Sequence, residues 1–380
     1  MHVADMLGFG GRESIIIDLA NDLQKQGNDV QIVTLSNNAN EQTFRLQKDI
    51  KLLQLPSAYA GLGGVKAIVF WIRCLPVFIG WLKKEKPDIV HTHLFFHRLL
   101  FAAMAIRISK VKTRHFHTIH TSGLFYAEKG IGNAIRLRTE QLAVSLTKAF
   151  LITISDEVYK NTLKHFSKIA AGIKLIFNGV DNAKFDYHLR SNITKASFGF
   201  MENEIIVTYV ARITEGKDHL TLLRAWKNIS MQVPFAKLCL AGDGELKEQM
   251  QLFCREQKID NNVIFLGVVK DIPKLLAITD IGVFTSLFEG FPVAILEQLF
   301  MKVPVIVTNI PAFTDLIKNG NGFLFEKGDP ESLTDLILNL INDKHLRETV
   351  GEAGYATVQK FSIAETIKKH EEVYALVQAN

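Results

Sequence analysis

Short apolar runs alternate with amphipathic helical stretches along almost the whole chain. In the first half, Val30–Leu35, Lys51–Leu55, Asp88–Thr92, Thr113–Thr118, Phe150–Ile154 and Ile173–Ile176 have the length and bounded ends of strands. Between them, Gly11–Gln26, Val65–Lys84, Phe95–Ile108, Gly130–Thr147 and Asp156–His165 carry helical patterning. The pattern restarts with Glu204–Val210, Ala236–Ala241, Val263–Phe265, Asp280–Thr285, Val305–Thr308 and Gly322–Phe325. Such alternation predicts an α/β protein of parallel sheets wrapped by helices. At 380 residues the chain is long for one core and comfortable for two. Asn178-Gly179 is a turn signal, and a polar stretch of weak periodicity follows it, which puts the boundary near 178–186. The expected division is residues 1–180, residues 181–362 and a helix-forming tail over residues 363–380.

In doubly wound sheets ligands bind beyond the carboxyl ends of the strands, and there the sequence concentrates its chemistry. Glu289 and Glu297 bracket Glu289-Gly290-Phe291-Pro292-Val293-Ala294-Ile295-Leu296-Glu297. The segment follows a strand, and Pro292 suits a first helical position, where no N–H is required. One carboxylate then sits in the loop and the other about one and a half turns into the helix. The amides of Gly290 and Phe291 lie between them, at a helix N-terminus that suits an anion. Two acceptors around an anion site fit a ligand that is part hydroxyl-rich and part phosphate, such as a nucleotide-sugar. Arg212 and Lys217 follow another strand and open a helix expected over residues 217–228, two cations able to neutralise a diphosphate. Gly242-Asp243-Gly244 lies between a strand and a helix, where glycine permits a close approach, here to a nucleotide. Gly10-Gly11 makes a similar strand-to-helix turn in the first half.

In this order, Arg212 with Lys217, Ala241-Gly242-Asp243-Gly244-Glu245 and the Glu289–Glu297 segment, preceded by Asn178-Gly179-Val180-Asp181, resemble the retaining family-4 glycosyltransferases of GT-B fold. The resemblance implies two facing Rossmann-like domains, an acceptor domain and then a nucleotide-sugar domain, with a C-terminal helix crossing back to the first. It further implies that Arg212 and Lys217 bind and stabilise the leaving diphosphate, and that Glu289 meets hydroxyls of the transferred sugar. Gly290 and Phe291, with Pro292, approach sugar and phosphate, Glu297 accepts from the ribose, and Phe265-Leu266-Gly267-Val268 frames the base. Gly11 lies across the cleft, and His120 is the active-site histidine beside the sugar. The implied chemistry is metal-independent front-face transfer with retention, with no cofactor and a UDP-sugar favoured as donor; Glu289 is not a nucleophile. Departures occur where few apolar residues precede His2, where Gln298, Phe300 and Lys302 replace small residues and a helix-ending glycine, and where Ala312 and Asp315 replace Gly and Glu. Met1 therefore reads as a shortened start.

Histidines cluster in the first half, at His91, His93, His97, His115, His117 and His120, with the i, i+2 pairs on one strand face. No carboxylate or cysteine completes a metal set, so no metal is expected, and His91 and His93 read as a strand-end feature near the cleft. Cys74, Cys239 and Cys254 are scattered, which fits a reducing, cytoplasmic setting. Ala67–Leu82, interrupted by Arg73 and Pro76, is too short to span a bilayer.

Charge adds an expected partner. Residues 1–180 carry 23 Lys/Arg against 13 Asp/Glu, a balance of +10, whereas residues 181–380 carry 21 against 26, or −5. A basic first half suits an anionic membrane surface, and with it a lipid-linked or glycan acceptor at the inner face of the membrane. Nucleic acid is not expected, because the basic residues are not interleaved with aromatics. A non-catalytic partner subunit of the same fold and a GT-B nucleotide-sugar epimerase stand as the alternatives to a transferase acting in cell-surface polysaccharide synthesis.

Overall fold

The computed structural model describes residues 1–8, 10–37, 41–56, 65–120 and 130–378. Two compact units result, Met1–Asn178 together with Ile363–Asn380, and Gly179–Ser362.

The first unit is built on seven parallel strands: β1 (His2–Ala4), β2 (Gln31–Thr34), β3 (Lys51–Gln54), β4 (Ile89–His93), β5 (Arg114–Ile119), β6 (Phe150–Thr153) and β7 (Gly172–Leu175). Their order is β3-β2-β1-β4-β5-β6-β7, so the winding reverses between β1 and β4. Three residues suffice for β1 because it is central. His2 pairs with Ile32 on one side and His91 on the other, and all three residues are buried. The helix Gly11–Lys25 lays Ile16, Ile17, Leu19, Ala20 and Leu23 onto this sheet. The C-terminal helix Ile363–Gln378 adds Ile367, Val373 and Tyr374 to the same core.

The second unit repeats the plan with β8 (Ile205–Val210), β9 (Ala236–Ala241), β10 (Val263–Gly267), β11 (Ile281–Phe284), β12 (Val305–Thr308) and β13 (Phe323–Phe325). Their parallel order β10-β9-β8-β11-β12-β13 puts the reversal between β8 and β11. The loops after those two strands contain Arg212 with Lys217 and Glu289 with Gly290, so the topology alone makes them neighbours.

Several boundaries differ from the sequence expectation for identifiable reasons. Lys217 does not open an α-helix; it ends a 3₁₀ turn, Glu215–Lys217, and the helix runs His219–Gln232. Asp218 sets that start, since its left-handed backbone (φ 46°) breaks the turn while its carboxylate accepts from the Thr221 amide and hydroxyl. Pro292 stands at the cap rather than at the first helical position, and the helix is Val293–Phe300. Lys302 replaces the missing glycine at the far end. It adopts φ 54°, and the bonds Val303 N–H to Gln298 O and Lys302 N–H to Leu299 O close a Schellman motif without glycine.

Candidate active site

The switch point of the second unit gathers most of the expected polar side chains. Lys217 Nζ and Glu289 Oε1 form an ion pair, and both side chains are about four-fifths buried (22% and 19% exposed). Residues behind them fix the pair. Ser286 Oγ donates to Glu289 Oε1 at 2.8 Å, Tyr209 OH donates to the Lys217 carbonyl at 2.8 Å, and Thr285 Oγ1 donates to the Lys217 and Asp218 carbonyls at 2.9 Å each. Burial pushes the Tyr209 phenol up, so it stays a donor, and holds the His219 ring stacked on it down to about 4. Three groups that the sequence reading passed over, Tyr209, Thr285 and Ser286, thus position the two that it named. Their one signal was two hydroxyl residues directly after an apolar strand.

Arg212 is exposed on the same loop, and its backbone is held from an unexpected quarter. Ala211 N–H donates to Ala241 O at 3.0 Å and Ile213 N–H to Asp243 O at 3.0 Å, so the loops after β8 and β9 continue their strands' ladder. A Cβ on Gly242 (φ 154°) would lie 1.9 Å from Ala211 O, and one on Gly244 2.3 Å from Ile213 O. These glycines therefore permit a close approach of the Arg212 loop. The loop after β11 is tied in the same way, through Leu287 N–H to Gly216 O at 2.9 Å. Gly290 and Phe291 precede the Pro292 cap, and Glu297 is half-buried on the helix that follows.

In the first unit, Gly11 is the first helical residue and Gly10 its cap. A Cβ on Gly10 would meet Glu13 Oε2 at 2.3 Å, so this helix N-terminus carries a carboxylate of its own chain, with the Arg12 guanidinium beside it. Asp5, at the end of β1, pairs with Arg98 at 2.8 Å and Arg12 at 3.6 Å. His120 follows β5, and its Nε2 lies 3.0 Å from His93 Nδ1. Residues 121–129, next in the chain, are outside the described residues.

His93 is the last residue of β4 and His91 lies two before it, so both stand at the carboxyl end of the strand, as expected, but inside the sheet. His91 and His93 are 1% and 2% exposed within β4, and parallel pairing brings His2 beside them. His2, His91 and His93 are the trio among the described residues whose ligand atoms lie within 4.8 Å of one another, close enough for a metal ion. His91 spends one nitrogen on Tyr374 OH (2.6 Å) and the other on Thr118 Oγ1 (2.7 Å), while His93 spends both on His2 and His120, so the nitrogens of His91 and His93 are already engaged in hydrogen bonds. Burial is the main reason that His2, His91, His93 and His120 sit well below the usual imidazole range; His115 falls to about 3, and His117 and His370 to about 4.

Comparison with known proteins agrees across both units. Residues 9–184 match the model of Glycosyltransferase Family 4, and residues 191–357 that of Glycosyl transferases group 1. The chain is 30% identical over 300 residues to the UDP-Gal:alpha-D-GlcNAc-diphosphoundecaprenol alpha-1,3-galactosyltransferase of Escherichia coli, covering 77% of this chain and 76% of that protein. It is 25% identical to the N-acetyl-alpha-D-glucosaminyl L-malate synthase of Bacillus anthracis, covering 77% and 75%. The crystal structure of Anabaena HepE in complex with UDP and glucose matches with a TM-score of 0.78 at 20% identity, over 98% of both chains. The chain belongs to family 4 of the group 1 glycosyltransferases and is a sugar-transferring enzyme of GT-B fold.

Proposed function

We propose that the protein transfers a sugar, with retention of configuration and without a metal, from a UDP-sugar to a glycan or lipid-linked acceptor in cell-surface polysaccharide synthesis. The carrying observation is the buried-side network at the β8/β11 switch point, in which Lys217 and Glu289 are held together by Ser286, Tyr209 and Thr285. A cation and a carboxylate fixed at one point suit the two halves of a sugar diphosphate. Lys217 and Arg212 neutralise the leaving diphosphate as its charge develops, the place a divalent cation would otherwise take. Glu289 accepts from sugar hydroxyls, the Gly290 and Phe291 amides ahead of the Pro292 cap approach sugar and phosphate, and Glu297 accepts from the ribose. In the first unit, His120 is the histidine assigned to the sugar, and Gly11 opens the helix N-terminus. The acceptor proton leaves toward the departing diphosphate, so no second carboxylate is needed, unlike glycoside hydrolysis.

UDP as the donor nucleotide is supported by the UDP named for HepE and the UDP-galactose named for the E. coli relative. The acceptor class rests on that relative's diphosphoundecaprenol substrate and on a mixed surface of the first unit. Ile131 (83% exposed), Ile135 and Leu142 lie bare on the helix Ile131–Thr147, near the basic Arg138 and Lys148. Ile72 and Arg73 do the same on the helix Val65–Glu85. No helix among the described residues is long and apolar enough to cross a membrane, so such contact would be peripheral. Incubation with UDP-, GDP- and ADP-sugars plus a lipid-diphosphate sugar acceptor, with and without chelator, tests the reading. An α-linked product from an α-UDP-sugar, unaffected by chelator, is expected. An inverted anomer, or activity lost with the metal, would refute the mechanism; a free epimerised nucleotide-sugar would favour the epimerase.

A further inference from the structure

Three of the buried histidines are joined ring to ring. His2 Nδ1 lies 3.2 Å from His93 Nε2, and His93 Nδ1 lies 3.0 Å from His120 Nε2. The His2 and His93 rings are stacked, with centroids 5.5 Å apart. His120 Nδ1 is buried and has no hydrogen-bond partner among the described residues. A neutral imidazole has one donor and one acceptor nitrogen, so the two bonds cannot be chosen independently. If His93 donates to His120, its Nε2 must accept from His2, and His120 Nδ1 carries the proton. If His120 donates, His93 must donate onward to His2, and His120 Nδ1 is bare. Two registers exist and no mixture of them satisfies both bonds.

We propose that His93, itself bonded to His2, is a positioning residue for His120: the three-ring chain ties the proton on His120 Nδ1 to the tautomers of His93 and His2, so that Nδ1 gains or gives up its proton only when all three rings change register together. This rests on the reading of His120 as the histidine beside the sugar. It goes beyond that reading by assigning His93 and His2 a part in the reaction from inside the sheet. The surroundings favour tautomers over charge. Burial keeps all three rings neutral, and the other charged or titratable groups around His120 are Arg12 from the first helix, His117 from β5 and His370 from the C-terminal helix. With the charged form disfavoured by burial, what the chain transmits is the choice of which nitrogen bears the proton. His91 stands outside the chain, since its nitrogens are engaged by Tyr374 and Thr118, and its role is to clasp the C-terminal helix onto β4.

The test is the two-bond ¹H–¹⁵N spectrum of the histidine-labelled full-length protein, which distinguishes the tautomers of a neutral imidazole, with His120 assigned from the peaks missing in His120→Gln. His120, His93 and His2 with matched tautomers of one register at a time are expected in the wild type, and a His120 tautomer that no longer follows that of His2 in His93→Leu. The same variant should lose about tenfold in kcat, the worth of one buried hydrogen bond, while the donor KM holds. Should His93→Leu not fold, His2→Leu reads the coupling one ring further back and should shift the tautomer balance of His93 and His120 together. Unmatched tautomers among the three rings in the wild type, or a His120 tautomer unmoved by both Leu variants, would overturn the role of His93. Turnover of His120→Ala is read separately: a wild-type rate would overturn the role of His120 at the sugar whatever the tautomer result.

Discussion

Gly242 carries a residue-scale consequence that a turn glycine ordinarily would not. Its φ of 154° is unfavourable for any side chain, and a Cβ there would stand 1.9 Å from the Ala211 carbonyl oxygen. Gly242→Ala should therefore cost about 2–3 kcal/mol, read as a fall in the urea midpoint at constant slope, and it should displace the Arg212 loop. A second prediction concerns the ion pair. With Lys217 gone, the leaving diphosphate loses its fixed cation, and Lys217→Ala should lower kcat by about 10²–10³ while the circular dichroism stays native. An unaltered kcat would remove Lys217 from the chemistry. At this scale the sequence named candidate residues and was silent about what they touch. Lys217 and Glu289 are 72 residues apart (289 − 217), and nothing local to either announces the other. Gly242 was readable as a close approach, but its partner, the Arg212 loop, follows only from the β8–β9 pairing.

At the scale of elements, the helix Val293–Phe300 shows how a missing residue type is made good. Lys302 holds the left-handed position usually given to glycine, and its ammonium sits 3.6 Å from the Tyr187 ring centroid and 2.7 Å from Glu352 Oε1. Two opposed terms follow. Lys302→Gly would relieve about 1 kcal/mol of backbone strain and give up a cation–π contact and an exposed ion pair of about the same sum. Lys302→Ala would lose the contacts and keep the strain. Denaturant titration should find the Gly variant within about 0.5 kcal/mol of wild type and the Ala variant about 1–1.5 kcal/mol less stable; an Ala variant as stable as wild type would show that the contacts with Tyr187 and Glu352 contribute little. Strands and helices were legible in the sequence because parallel strands buried on both faces read as continuous apolar runs. Helix starts near Lys217 and Pro292 were misplaced by a residue or two, because a left-handed Asp218 and a proline cap are decided by backbone geometry that the apolar pattern does not encode.

For the whole molecule, the uneven distribution of buried histidines makes stability depend on pH. In the first unit, His115 is held near 3 and His117 and His370 near 4, and His2, His91, His93 and His120 also lie well below their ordinary value. In the second unit, His219 alone among the described residues is so placed, at about 4. A folded-state pKa below the unfolded value means that the unfolded chain binds more protons as pH falls from about 6.5 toward 4. The stabilisation is fully present above about 6.5 and is lost on acidification, by up to about 2 kcal/mol per group at pH 5. Calorimetry at pH 7.5 and pH 5 should therefore show the first unit's transition moving down much further than the second's; equal shifts would contradict the burial of these rings. The two-sheet plan was visible from the restart of the alternating pattern, whereas the imidazole cluster was not. Its third member, His2, comes from the start of the chain and joins His91 only through the parallel register of β1 with β4.

The most direct single measurement is a calorimetric titration of UDP into the wild type and Glu297→Ala. If the β8/β11 switch point holds the donor nucleotide with Glu297 on its ribose, the wild type binds UDP and the variant loses at least about tenfold in affinity, the worth of a hydrogen bond to a charged acceptor. Equal UDP affinity in the two proteins, or no binding by the wild type, would contradict that placement.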